Sequence, residues 1–232
     1  MQGFPDLPGH RLGILGGTFD PVHNGHIAVA RTVLRDPGLD SILFVPAFLP
    51  PHKPSREISS FAHRVAMLEL AVQAEANFSV SRLESERCGP SYSIDTLRAL
   101  ASVLGPEVRL FFIIGMDAFA DISTWKSHSL LLDHASLVVV GRPELCRHSC
   151  GQSVAFSFPG AVFDPEKGCW QGPAAGAIYS VAMEPVPVSS SQVREAVRSG
   201  RSIAGLVPEA VAGYISRHGL YGPGKEEKTP AG

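Results

Sequence analysis

The stretch GGTFDPVHNGH, Gly16–His26, decides how the rest of the chain is interpreted. It follows an apolar segment, Arg11–Leu15, that predicts the first strand, and a helix is predicted to begin at about Gly25 and to end near Leu34. The two glycines that open the stretch lack side chains, so the backbone there can pass close to a bound group. A first strand that ends in such a turn is typical of nucleotide binding at the carboxyl edge of a parallel sheet.

Two histidines at the end of this stretch are candidates for holding phosphate. Asp20-Pro21 predicts a turn. His23 and His26 then lie three residues apart around the first helical turn, which places both imidazoles on one face beside the N–H groups of the helix start. Such a helix N-terminus favours a polyphosphate. The alternative is a turn that carries two surface histidines, and the His-x-x-His spacing alone leaves both interpretations open.

The two common nucleotide-binding fingerprints do not occur in the sequence. No G-x-G-x-x-G string is present, which argues against a dinucleotide-dependent dehydrogenase. Gly219–Lys225 approaches the P-loop pattern, but Glu226 stands where Ser or Thr is required. Any phosphate site formed by Gly16–His26 therefore follows another pattern.

Predicted strands alternate with predicted helices along the rest of the chain. The further strands are predicted at Ser41–Val45, Phe78–Leu83, Val108–Ile114, Ala135–Val140, near Val154–Phe158, and at Ile178–Met183. The further helices are predicted around Phe61, Val65, Leu68 and Val72, and at Ser93–Leu104, Ser190–Arg198 and Pro208–His218. This alternation predicts an α/β fold with a Rossmann-like, doubly wound, mostly parallel sheet and helices on both faces.

The same pattern predicts one domain that spans residues 11–221. Residues 1–10 are expected to be an N-terminal extension, and residues 222–232 a disordered tail because they are charged and rich in Gly and Pro. Residues 141–185 are expected to be irregular, with only the two short strands given above.

Composition narrows the classes of partner. The 232 residues are 44% hydrophobic and 18% charged, which excludes an intrinsically disordered chain. The net charge of −2 and the scattered Lys and Arg residues argue against a nucleic-acid polymer and favour a small anionic partner. Apolar runs are too short to span a bilayer, and the N-terminal residues lack the pattern of a signal peptide. We therefore predict a cytoplasmic protein without a membrane partner.

Cysteine spacing raises a metal question. Cys146, His148 and Cys150 lie within five residues, CRHSC, but the spacing is not a common zinc pattern and no second pair of ligands follows. Ordinary loop cysteines are the favoured interpretation, and metal binding stays open.

Six further strings follow the first one in a fixed order: PPHK (Pro50–Lys53), HRVAML (His63–Leu68), GPSYSIDTL (Gly89–Leu97), GMDAFADISTWK (Gly115–Lys126), VSSSQVR (Val188–Arg194) and VPEAVAGYISRHGLY (Val207–Tyr221). With these strings, the chain resembles the bacterial nicotinate-nucleotide adenylyltransferases over about residues 11–221. These belong to the nucleotidyltransferase superfamily that carries the His-x-Gly-His motif, here His23–His26.

The resemblance implies a reaction in which AMP passes from ATP to nicotinate mononucleotide, giving nicotinic acid adenine dinucleotide and pyrophosphate in NAD biosynthesis. The mononucleotide phosphate attacks in line, with Mg²⁺ bound mainly through substrate phosphates and no protein residue assigned as a metal ligand. Two alternatives stay open. One is another adenylyl- or cytidylyltransferase of the superfamily, with nicotinamide mononucleotide or phosphopantetheine as acceptor. The other is a nucleotide-binding regulator without catalysis.

The resemblance also implies which residues hold ATP. Catalytic roles fall to His23, His26, Lys53 and Arg194. The ATP-binding residues are expected to be Gly16, Gly17, Thr18, Phe19, His23, His26, Gly115, Asp117, Ser190, Ser191 and Arg194. For two of them a purely structural role is the alternative, since Ser190 and Asp117 could each cap a helix.

The acceptor nucleotide is expected to contact a second group of residues: Lys53, Tyr92, Ser93, Trp125 and Lys126. Trp125 would stack on the nicotinate ring, with core packing as the alternative. Backbone N–H groups near Tyr92 would favour the carboxylate of nicotinate over an amide. The family commonly carries Asn residues before the PPHK string, where this chain has Ala47, Phe48 and Leu49. The expected partners are thus two small molecules, ATP and nicotinate mononucleotide, and a homo-oligomer is left open.

Overall fold

The computed structural model describes residues 9–35, 38–51, 58–142, 148–172 and 174–222. The strands within these ranges are β1 (His10–Gly17), β2 (Ser41–Pro46), β3 (Phe78–Val80), β4 (Val108–Gly115), β5 (Ser136–Gly141), β6 (Val162–Asp164), β7 (Cys169–Gln171) and β8 (Ala177–Ala182). The α-helices are α1 (Asn24–Arg35), α2 (Phe61–Val72), α3 (Ser93–Leu104), α4 (Met116–Ala120), α5 (His148–Ser157), α6 (Ser190–Arg198) and α7 (Glu209–His218). Short 3-10 helices span Leu83–Glu86, Ile122–Thr124 and His128–Asp133.

The strands form one sheet in the order β3-β2-β1-β4-β5-β8-β7-β6. The six strands from β3 to β8 in that order are parallel, and β7 and β6 extend the edge as antiparallel strands. The order reverses between β1 and β4, which lie side by side. In sheets of this kind ligands bind outside the carboxyl ends of the strands at such a switch point. The predicted doubly wound α/β fold is confirmed.

Both faces of the sheet are covered, which explains why β4 is apolar from Leu110 to Ile114. Phe111 and Ile113 face one hydrophobic cluster, whereas Phe112 and Ile114 face the other. The first cluster receives apolar residues from α1, α2, α6 and α7, and the second receives them from α3, α4 and α5. Within the described residues, no helix has the length and apolar character that a bilayer crossing requires.

Two predicted strands differ from the structure. The strand expected near Val154–Phe158 is wrong, because most of this segment lies in α5. The apolar residues of V-A-F-S-F alternate as in a strand, but the buried ones are spaced by four residues, as in a helix. Cys150, Val154 and Phe158 are buried together, whereas Phe156 is 77% exposed. Residues 141–185 also contain the β6–β7 hairpin, which the sequence analysis did not predict.

The other difference is at β3, which ends at Val80 rather than Leu83. The chain turns there because the Ser81 hydroxyl accepts a hydrogen bond from the Leu83 N–H at 3.2 Å. The 3-10 helix that follows buries Glu84.

Candidate active site

The two signature histidines lie against each other at the start of α1. Their ring centroids are 3.6 Å apart with an interplanar angle of 26°. The backbone N–H of His23 donates a hydrogen bond to Nδ1 of the His26 ring at 3.2 Å. The Phe19 ring meets His26 edge-on at 4.9 Å. A Cβ on Gly25 would lie 3.0 Å from the His23 ring. The glycine between the histidines therefore provides the space for the stack.

His23 is the more buried of the two imidazoles. Burial lowers the pKa of His23 from 6.5 to about 4, so this ring is neutral at pH 7. Its Nδ1 atom is buried and lacks a hydrogen-bond partner among the described residues. A buried polar atom without a partner is uncommon, and here it lies in the loop that the sequence assigns to phosphate.

Asp20 connects the same loop to the carboxyl-terminal part of the chain. Its buried carboxylate accepts a hydrogen bond from the Tyr221 hydroxyl at 2.7 Å and from the Ser59 N–H at 3.3 Å, both at Oδ1. Its backbone carbonyl accepts a hydrogen bond from Nη1 of Arg194 at 2.7 Å. The same guanidinium lies 4.0 Å from the other carboxylate oxygen. Sequence analysis had assigned Asp20 only to a turn.

The start of α6 reaches the signature loop through its serines. Ser189, not Ser190, caps the helix, in a capping box with Gln192. The alternative role of Ser190 as the N-cap is therefore wrong, and its hydroxyl instead donates to the Pro21 carbonyl at 2.9 Å. Ser191 accepts a hydrogen bond from Nη2 of Arg194 at 3.2 Å. We call this assembly of residues 16–26 and the α6 start the phosphate side of the site.

Arg64 is a buried cation beneath the phosphate side, with only 2% of its surface exposed. Its Nη1 donates to the carbonyls of Thr18 and Ala47, both at 2.8 Å, and its Nε donates to the Ser59 carbonyl at 3.1 Å. Burial lowers its pKa, and Asp20 is the largest of the nearby charges that oppose this effect. Arg64 therefore ties the ends of β1 and β2 to the residues that precede α2.

Four of the residues expected to bind the acceptor lie at the start of α3 and directly after the 3-10 helix Ile122–Thr124. Tyr92 is the N-cap residue of α3 and Ser93 is its first residue. The Lys126 ammonium lies 4.6 Å from the centroid of the Tyr92 ring and 2.8 Å from the Asp95 carboxylate. Trp125 precedes it, half-buried. We call these residues, Tyr92, Ser93, Trp125 and Lys126, the nicotinate side.

Trp125 contacts the core without being enclosed by it. Its indole meets the Phe112 ring edge-on at 6.3 Å, and it packs against the second hydrophobic cluster. The Phe112 ring also lies beneath Gly16, where a Cβ would be 3.6 Å from it. Phe112 therefore lies between the nicotinate side and the signature loop.

Gly115 ends β4 at the carboxyl edge of the sheet and Asp117 follows it, and both residues are exposed. Gly115 is the N-cap residue of α4, and no side chain caps this helix. The alternative role of Asp117 as a helix cap is therefore wrong, and its carboxylate lies in the first turn instead.

The segment Ala47–Leu49, which lacks the expected Asn side chains, is held in place by hydrogen bonds of its backbone. The Phe48 N–H donates to the buried Glu84 carboxylate at 3.1 Å, and Leu49 exchanges two hydrogen bonds with Ser91. Glu84 also accepts a hydrogen bond from the Thr96 hydroxyl at 2.6 Å. The segment is thus joined to both ends of the turn that leads into α3.

Lys53, which is predicted to contact phosphate, lies outside the described residues. So do Cys146 and the side chain of His148, which belong to the possible metal-binding segment. Within the described ranges, no group of three or more His, Cys, Asp or Glu residues could hold a metal ion.

Comparisons with known proteins show which family the chain resembles. The family model "Cytidylyltransferase-like" matches residues 14–196. The "Probable nicotinate-nucleotide adenylyltransferase" of Geobacter sp. (strain M21) is 41% identical over 212 residues, which cover 91% of this chain and 98% of that protein. The protein of the same name from Pseudomonas aeruginosa (strain UCBPP-PA14) is 38% identical over 213 residues, 92% of this chain and 98% of that one.

Solved structures show the same fold. The nicotinic acid mononucleotide adenylyltransferase of Plasmodium falciparum, complexed with NaAD, superposes with a TM-score of 0.68 at 18% identity, over 91% of this chain and 97% of that chain. The same enzyme complexed with APC gives the same TM-score. Together with the sequence matches, which extend over nine-tenths of the chain, this confirms the predicted resemblance. The chain therefore belongs to the nicotinate-nucleotide adenylyltransferase family of nucleotidyltransferase enzymes, within the cytidylyltransferase-like group.

Proposed function

We propose that this chain transfers AMP from ATP to nicotinate mononucleotide and releases pyrophosphate. The observation that carries the proposal is the phosphate side itself. There the stacked pair of His23 and His26 lies in the signature loop, at the switch point of the sheet. Arg194, 171 positions after His23, is hydrogen-bonded to the same loop. A site of this kind presents N–H donors to a chain of phosphates before the substrate arrives.

The chemistry needs alignment more than proton transfer. The attacking 5′-phosphate of the mononucleotide is already anionic at pH 7, so no general base is required. The protein must hold two anions in line and stabilise the charge that develops on the α-phosphate and on the leaving pyrophosphate. We assign His26 and the neutral His23 to the ATP phosphates.

Arg194 is suited to the same task because its position is already fixed. Its side chain is 27% exposed, while Nη1 is bonded to the Asp20 carbonyl and Nη2 to Ser191. A guanidinium held in this way loses little conformational freedom when it binds phosphate. With Ser190 and Ser191 at the helix start, Arg194 is proposed to hold the β- and γ-phosphates.

The residues of the phosphate side fit the expected Mg²⁺ if the substrate phosphates, rather than protein side chains, are its ligands. The one carboxylate in the signature loop, Asp20, is already bonded to Tyr221 and Ser59. Phosphate oxygens are therefore the appropriate Mg²⁺ ligands, as is usual for this ion, and the His23–His26 pair and Arg194 would hold the phosphates that carry it. When bound there, the ion would neutralise phosphate charge.

The nicotinate side is proposed to bind the acceptor. Trp125 offers a half-buried aromatic face, and the first turn of α3, from Ser93, offers N–H groups to the nicotinate carboxylate. The Tyr92 N–H itself donates to the Pro90 carbonyl at 3.0 Å. The Lys126 ammonium adds a positive charge beside Tyr92. Gly115 and Asp117 are proposed to contact the ATP nucleoside, because they lie at the carboxyl end of β4.

The remaining assignments are predictions from the sequence. Lys53 is proposed to contact a substrate phosphate. Residues 11–221 are proposed to form one domain, since one sheet carries both sides of the site. A cytoplasmic location and a homo-oligomer stay predictions.

One assay tests the activity. The protein is incubated with ATP and Mg²⁺ and with either nicotinate or nicotinamide mononucleotide, and pyrophosphate release is measured. We expect turnover with a clear preference for nicotinate mononucleotide. Absence of turnover with both would refute the proposal, and a preference for the amide would refute the assignment of the carboxylate to the α3 start.

A further inference from the structure

The hydrogen bond between Tyr221 and Asp20 joins residues 201 positions apart. Tyr221 follows α7 and adopts a left-handed backbone conformation with φ of 62°. Burial, with a smaller effect from the Asp20 carboxylate, raises the pKa of Tyr221 above its ordinary value. The phenol therefore stays protonated and remains a donor throughout the pH range of an ordinary assay.

Two side chains have a polar atom within 4.0 Å of the Asp20 carboxylate, in addition to the Ser59 N–H and to the more distant charge of Arg64. On one side the Tyr221 hydroxyl lies 2.7 Å from Oδ1, and on the other side Arg194 Nη1 lies 4.0 Å from Oδ2. At 4.0 Å the guanidinium does not form a direct hydrogen bond with the carboxylate, and it is bonded to the Asp20 backbone carbonyl instead. Tyr221 thus satisfies the carboxylate while the arginine charge stays available for a ligand.

We propose that Tyr221 is a positioning residue for the phosphate side, which keeps the Asp20 carboxylate from capturing the Arg194 guanidinium. Without the hydroxyl, Oδ1 keeps only the 3.3 Å bond from the Ser59 N–H. A buried carboxylate that has lost a donor turns to the nearest cation. The guanidinium is then drawn to Asp20 and competes less well for phosphate. This inference rests on the proposed role of Arg194 in ATP binding.

Tyr221→Phe is the direct test, because it removes the hydroxyl and keeps the ring. The matched control is Tyr214→Phe on α7, whose hydroxyl bonds Nδ1 of His63 at 2.9 Å, away from the site. ATP affinity is measured by titration calorimetry, and kcat and KM are measured for both substrates. We expect Tyr221→Phe to weaken ATP binding and kcat/KM for ATP about tenfold, to change the KM for the acceptor little, and Tyr214→Phe to leave all of these unchanged.

A double-mutant cycle separates positioning from a structural role. In an Arg194→Lys background, which keeps the charge and removes the planar fork, Tyr221→Phe should change ATP affinity much less than it does in the wild type. Additive effects would overturn the proposal, and so would equal losses for ATP and the acceptor. Circular dichroism melting establishes that each variant is folded at the assay temperature. The ATP titration needs no acceptor, so a wild-type protein without turnover would refute the proposed function while this comparison still decides the inference.

Discussion

The phosphate side and the nicotinate side of the site are held together in different ways. On the phosphate side, Ser190, Arg194 and Tyr221 reach the signature loop by hydrogen bonds that span 169 to 201 positions of sequence, and Asp20 at their centre is buried. On the nicotinate side, the ion pair of Lys126 with Asp95 has side chains that are 47% and 27% exposed. Exposed pairs of this kind contribute about 1 kcal/mol or less.

This difference agrees with the two tasks that we propose for the site. The phosphate side is assembled before any ligand binds, which suits the charge stabilisation that a transferred phosphoryl group requires. The nicotinate side depends on side chains at the surface that a ligand can reorder. Changes to the phosphate side should therefore lower turnover, or stability where they remove a buried hydrogen bond, and changes to the nicotinate side should weaken acceptor affinity.

The largest effect is expected for His26→Ala on the phosphate side. Removing the donor that we propose for the developing charge should lower kcat by about 10²–10³-fold, with little change in the unfolding temperature. The control is His10→Ala at the other end of β1, where the ring bonds Ser41 and an effect on turnover is not expected. Near-normal activity in a folded His26→Ala variant would remove His26 from the mechanism.

Arg64→Met tests whether the phosphate side depends on buried bonds. The substitution keeps most of the volume but leaves the carbonyls of Thr18, Ala47 and Ser59 without their donor, and we expect a loss of about 3 kcal/mol in the free energy of unfolding. Urea denaturation measures the loss. In the control, Arg82→Met removes an exposed pair with Glu69 and should cost less than about 1 kcal/mol. Equal losses in the two variants would contradict the comparison.

His23 predicts a dependence of stability on pH. Its pKa is about 4 in the folded chain and 6.5 in the reference state, so between these values the unfolded chain binds a proton that the folded chain does not. Stability therefore falls as the pH falls through this window. Between pH 7 and pH 4 the wild type should lose about 3 kcal/mol more than His23→Asn. Denaturant unfolding at several pH values measures both proteins, and identical pH slopes would show that His23 titrates normally.

Trp125→Ala should give the smallest effect and act on the acceptor alone. Loss of an aromatic stacking partner should raise the KM for nicotinate mononucleotide about fivefold, while the KM for ATP changes little. Trp125→Phe keeps a flat ring and should recover most of the loss. An effect confined to ATP would show that the nicotinate side has been assigned wrongly.

Helices, strands and loops that depend on contiguous residues could be predicted from the sequence. Contacts between residues that are distant in sequence could not. The bounds of α3, Ser93–Leu104, follow from the spacing of its apolar residues, and the signature loop follows from one string. The strand predicted around Val154 is wrong because five alternating residues also fit a helix, and the buried spacing of four extends back to Cys150.

The residues that sequence analysis missed share one property. Asp20, Arg64, Glu84 and Tyr221 act through partners that are distant in sequence, and no local pattern marks such pairs. Arg64 alone left a signal, because it follows Phe61 by three residues and so falls on the apolar stripe of α2, where a charge needs buried partners.

The bond between Tyr221 and Asp20 also affects how the site forms during synthesis. The signature loop is translated before α6 and Tyr221, which follow it some 170 to 200 residues later. Contacts so distant in sequence close slowly and late in folding. Asn24, between the two histidines, also donates to the carbonyls of Gly205 and Leu206. The start of α1 and Arg194 therefore both reach their final contacts only after residues 194–221 have been made, and AMP transfer has to wait for them.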